Sequence, residues 1–149
     1  MASVRLLLLG TLVLGLTGTV TELLLLEHFE GVTQWVPIVL ISVALVVLCA
    51  HAIARSRATV RSIQATMLVF IASGLVGTWL HYKGNADFEI EITPTMAGWE
   101  LFSASMMGAT PVLAPGTMVQ LGLIGLAWSF GHPALQRAGT LPPTKTDSV

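Results

Sequence analysis

At 149 residues the chain has room for one compact domain, and its composition, 54% hydrophobic and only 10% charged, lies far from that of soluble proteins, in which about a quarter of residues are charged. A soluble monomer is excluded, because that much apolar surface has nowhere to hide. An all-α integral membrane four-helix bundle is the economical reading, since hydrocarbon offers no partners and each helix must satisfy its own backbone hydrogen bonds.

The first apolar run, Leu6 to Leu26, spans roughly 31 Å as a helix and matches a hydrocarbon core of about 30 Å. A secretory signal peptide is the competing reading because Arg5 precedes the run. The run exceeds a typical signal core, however, and Thr17-Gly18-Thr19 makes a poor cleavage site. The second run, Trp35 to Ala54, carries Pro37 near its start and Trp35 at the membrane interface. Within it, the single Cys49 rules out a disulfide inside the chain and a cysteine-based zinc site, and reads as a small buried hydrophobe. The third run, Val60 to Leu80, ends among the interface anchors Trp79 and Tyr82. A fourth needs Pro115 in its first turn and ends near His132 and Pro133. The expected spans are therefore residues 5–28, 34–54, 60–81 and 115–132, within one domain of residues 1–138.

Residues 82–114, between the third and fourth spans, are too many for a simple connection and too patterned for disorder. Acid and apolar residues alternate from Asp87 to Ile92, the period of a strand, and Thr93-Pro94 then reads as the start of a helix reaching about Gly108. That helix, interfacial or re-entrant, gathers Trp99, Phe102 and Met106 on one side, a candidate partner surface. Residues 139–149, with Leu141-Pro142-Pro143, read as a flexible cytoplasmic tail.

Charge gives the orientation. With four spans, Arg5, Arg55, Arg57, Arg61, Arg137 and Lys145 share one side, and only Lys83 lies on the other. The positive-inside rule makes the basic side cytoplasmic and puts both termini there, as in a bacterial inner membrane protein. Glu22, Glu27, Glu30, Asp87, Glu89, Glu91 and Glu100 fall on or near the outer side, so a formal net charge of −1 conceals a dipolar molecule. Such an acidic face attracts cations or a cationic partner. The simpler reading is that acids are merely tolerated there. Nucleic acid is not an expected partner, because the arginines form no extended basic groove.

Small residues mark the expected packing faces, since membrane helices approach closely where side chains are small. Thr11, Gly15, Gly18 and Glu22 form one stripe on the first helix, and Thr66, Phe70, Ser73, Gly77 and His81 another on the third. If the stripes face each other, Glu22 meets His81 near the outer surface. An ionisable residue just inside the membrane faces protein or water. Glu22 and His81, joined by His28, Glu27 and Glu30, are therefore the candidate cation or metal site; a structural hydrogen-bonding role for Glu22 is the plainer alternative. Carboxylates with imidazoles suit a transition metal, but the fixed spacing of HExxH is missing. Met96, Met106, Met107 and Met118 add thioethers that suit copper(I) and more commonly serve packing.

Each histidine ends a different helix, with His28 and His81 at the outer level and His51 and His132 at the inner one. Paired axial ligands for two haems have this layout, although haem ligands belong deeper in a bundle. Gln64 and Gln120 are candidates for hydrogen bonds between helices. The sequence contains no GxSxG elbow, phosphate loop or dinucleotide fingerprint. Two functions remain in front. One is a non-catalytic accessory or assembly subunit packed against lipid, other membrane subunits or its own copies. The other is a cation-handling membrane protein, with a haem or redox protein behind it.

Overall fold

The computed structural model describes residues 2–136. Six helices follow in chain order: α1 (Ala2–Leu25), α2 (Val32–Ala54), α3 (Arg57–Ile92), α4 (Gly98–Met106), α5 (Gly116–Ser129) and α6 (Pro133–Gln136). There is no strand among the described residues. Three of the helices, α1, α2 and α3, are long and apolar enough to cross a membrane. The chain thus has the make-up of an integral membrane protein. The expected tail, with Arg137 and Lys145, lies outside the described residues.

α1 packs on α2 and α5, and α3 packs on α2 and α5, so the four helices form a ring with α1 and α3 on its diagonal. Leu12 and Leu16 of α1, Ile41 and Leu48 of α2, Met67 and Phe70 of α3, and Leu121 and Trp128 of α5 meet in its centre. The tightest seam runs between α3 and α5, where glycine lets the backbones approach. A Cβ on Gly122 would stand 2.7 Å from the Met67 carbonyl oxygen, and one on Gly74 would stand 2.8 Å from that of Pro115. Lipid gives helices no hydrophobic reason to associate, so close packing of this kind is what holds such a seam.

Local chemistry explains the ends. Arg55 takes a left-handed conformation (φ 37°), and its N–H returns to the His51 carbonyl at 2.8 Å. Ser56 then caps α3: its Oγ accepts the Thr59 N–H at 3.2 Å, and the Thr59 hydroxyl accepts the Ser56 N–H at 3.2 Å. This reciprocal cap turns the chain in two residues.

Several expectations require correction. The Asp87–Ile92 stretch is helical, the end of a 36-residue α3 about 54 Å long. An isolated strand had no partner there, whereas continuing α3 adds a hydrogen bond per residue and an i,i+4 ion pair, Lys83 Nζ to Asp87 at 2.6 Å. Pro94 terminates α3 rather than opening α4. The residue before a proline is pushed out of the helical region, and Thr93 sits at φ −131°, ψ 85°. α4 begins only at Gly98. The helix in the place of the expected fourth span, α5, has 14 residues, about 21 Å, short of a hydrocarbon core of about 30 Å. Cys49 is exposed on the outward side of α2.

The face of α1 is also rotated from expectation. Leu12 and Leu16 are buried, with Leu8, Leu9, Val20 and Leu23 partly so, whereas Thr11, Gly18 and Glu22 are exposed. Of the small-residue stripe only Gly15 is packed, against Leu121. Large side chains fill the centre of a ring of four better than small ones do. On α3 the expected Gly77 does pack, on Pro115, and Ser73 beside it is half-buried.

Candidate functional site

Two histidine pairs mark the two ends of the ring. At the end that holds the start of α1, the end of α2 and the start of α3, His51 and His132 lie with ring centres 5.1 Å apart, and Trp128 stands 5.3 Å and 5.0 Å from them. Arg5, Arg55, Arg57 and Arg61 belong to this end. At the other, acidic end, His28 and His81 lie edge to face at 6.4 Å.

What each histidine can do depends on what its Nδ1 already does. His132 precedes α6, and its Nδ1 accepts the Ala134 N–H at 3.2 Å. The proton of neutral His132 therefore sits on Nε2. His51 Nδ1 is 2.8 Å from the Thr59 hydroxyl, whose own proton goes to the Ser56 carbonyl, so His51 donates. Arg5 donates to the carbonyls of Phe130 and Gly131, at 3.3 Å and 2.5 Å, closing the end of α5 over this cluster. Burial, then the neighbouring His51 and Arg5, lower the pKa of His132 below the usual histidine value.

His81 differs from His132 and donates from Nδ1, as His51 does. Its Nδ1 donates to the Pro111 carbonyl at 2.9 Å, which fixes the ring and leaves Nε2 with a free lone pair. His28 reaches the same place through the end of α1. The His28 N–H bonds to the Leu23 carbonyl at 2.9 Å and the Glu27 N–H to that of Leu24 at 3.2 Å, with Glu27 left-handed at φ 52°. This is a Schellman ending with glutamate where glycine is usual. The Pro111 segment is held in turn by Asn85. That buried side chain donates to the Ser105 and Thr110 carbonyls, both at 2.8 Å, and accepts the Thr110 N–H at 3.2 Å. Gly108 packs so closely on Asn85 that a Cβ would come within 2.6 Å of its amide carbon. Nothing in the local sequence marks Asn85 as a tertiary anchor.

The expected meeting of Glu22 with His81 is not seen. Glu22 lines an open groove on the outside of α1 with Thr17, Gly18, Thr21 and Leu25, because α1 and α3 lie across the diagonal of the ring. Glu27 and Glu30, in the turn that carries His28, are exposed. No group of three or more His, Cys, Asp or Glu side chains converges as a metal cage among the described residues. Trp128 packs against both inner histidine rings, and His132 would have to break its bond to Ala134 before a neutral Nε2 could ligate.

Four aromatic rings continue from the acidic end. Trp79, Tyr82, Phe102 and Trp99 follow one another with centres 6.0, 6.0 and 5.2 Å apart. Trp99 and Phe102 are exposed, and Met106 is half-buried below them. Among the described residues neither Gln64 nor Gln120 makes a side-chain hydrogen bond between helices; Gln120 is exposed.

No protein-family model, curated protein or solved structure matches the chain.

Proposed function

We propose that the chain is a non-catalytic accessory or assembly subunit of a larger membrane complex. In this reading it crosses a bacterial inner membrane four times, with the Arg-rich end and both termini in the cytoplasm and α5 as a short fourth pass. The observation that carries the subunit reading is the outward face of α1. The Glu22 carboxylate there has no hydrogen-bond or ion-pair partner among the described residues, and a Cβ on Gly18 would meet nothing within 4 Å. The hydroxyls of Thr17 and Thr21 are already committed to their own helix, at 2.9 Å and 2.8 Å. A carboxylate at the edge of the hydrocarbon faces protein or water. A helix of another subunit, seated over Gly18 with a donor for Glu22, supplies both close packing and a partner. The row from Trp79 to Trp99 acts as the interfacial anchor beside it.

The test is mass spectrometry of what co-purifies with the full chain in mild detergent, compared with Gly18→Leu. A stoichiometric membrane protein is expected with the wild type and is lost from Gly18→Leu, whose Cβ meets nothing within 4 Å in its own chain. Recovery of the wild type alone, or only with copies of itself, overturns the reading. A partner retained by Gly18→Leu moves the contact away from α1.

A further inference from the structure

The geometry points to a two-histidine binding site for a divalent transition-metal ion at the acidic end, with His28 and His81 as its protein ligands. It stands independently of the subunit reading.

Four observations meet here. His81 donates Nδ1–H to the Pro111 carbonyl at 2.9 Å, which leaves Nε2 unprotonated in the neutral ring. A backbone carbonyl in that role is the usual outer partner of a metal-bound histidine: it fixes the tautomer and makes the other nitrogen more basic. The two ring centres stand 6.4 Å apart. Two ring nitrogens bound at about 2 Å to one tetrahedral ion leave their ring centres roughly 5 Å apart, so this edge-to-face pair must close by about 1 Å and turn a nitrogen of each ring inward to hold one. The His81 ring and the backbone of His28 are also held, since Asn85 anchors the segment bearing Pro111 and the Schellman turn fixes the chain at His28.

Finally, the surroundings favour a cation. Glu27 and Glu30 flank His28 in one exposed turn, and Lys83, the only basic residue in the described sequence of this end, is paired with Asp87 at 2.6 Å. Two imidazoles suit zinc, copper(II) or nickel. Two protein ligands leave the remaining positions to water or to the flanking carboxylates, the open arrangement of a site that loads and releases its ion rather than one that locks it in place. The inner pair cannot do the same, because His132 Nδ1 is occupied as an acceptor.

Zinc is the probe. Tag-free full chain in mild detergent, stripped of metal and titrated with Zn2+ alone, is expected to bind one ion saturably and to melt at a higher temperature when loaded. His28→Ala and His81→Asn should each weaken binding by roughly 10–100-fold or more. The asparagine amide in the second variant can still donate to Pro111, so an unchanged metal-free melting curve shows that the fold survives. His132→Asn should bind as the wild type does. Absence of saturable uptake by the wild type, or an affinity unchanged in either variant of the pair, overturns the site.

Discussion

The two ends of the ring carry the same residue type in the same number and use it differently. At the Arg-rich end, His51 and His132 are committed side chains: one donates to Thr59, the other caps a short helix, and Trp128 packs edge-on against His51 and tilted against His132. At the acidic end, His81 is anchored through one nitrogen only and His28 faces it across a gap. Proximity of two histidines therefore does not define a site. His51 and His81 both donate from Nδ1; what separates the pairs is His132, whose Nδ1 accepts, and the Trp128 ring packed against both inner histidines.

The comparison breaks most sharply at Trp128. Replacing this buried ring by alanine removes the contact surface of His51 and His132 together and should cost about 3–5 kcal/mol. Thermal unfolding in detergent measures the loss, and a metal-free acidic end should keep its Zn2+ affinity in whatever fraction stays folded. A cost below about 1 kcal/mol would show that the inner cluster is not held by packing.

Asn85→Ala tests the other end. It strands the Thr110 N–H and removes the donors to Ser105 and Thr110, a loss of about 1–3 kcal/mol. Hydrogen exchange should rise from Gly108 to Pro115 while the residues around His51 stay protected. A uniform rise along the chain would mean that the two ends are not separate units.

The smallest expected effect is acid sensitivity at His132. Its folded pKa lies below the unfolded value of 6.5, so the unfolded chain takes up the proton first. The contribution of neutral His132 is present above pH 6.5 and is lost as pH falls toward the folded pKa. Replacing His132 by asparagine should make stability fall less steeply over that interval, and a melting temperature that falls equally in the variant would sink the assignment.

Much of the frame was legible in the sequence. Apolar runs located α1, α2 and the membrane-length part of α3, and the topology drawn from them placed His28 with His81 and His51 with His132 at shared levels. The faces were less legible, because a stripe of glycine and threonine indicates where a helix can be approached and not whether its own chain does so. On α1 that stripe is exposed, and leucines make the contact. The alternating segment from Asp87 to Ile92 misled for a different reason: period two is a signal of half-burial, and this segment extends beyond the ring with no sheet to join. The features that set the chemistry of His81 were beyond reach, since Pro111 lies 30 residues away and the turn bearing His28 uses Glu27 where a glycine would have announced it.

The unbroken run of α3 makes the acidic segment the far end of a rod that starts at the Ser56 cap. Over its length of about 54 Å, a tilt of about 5° at the cap carries Ile92 sideways by about 5 Å. Pro111 and α4 are fastened to that end through His81 and Asn85, while His28 sits in the turn that follows α1. A small tilt of α3 would thus change the space between two imidazoles far from the cap, which makes their separation a gauge of how α3 sits against its neighbours.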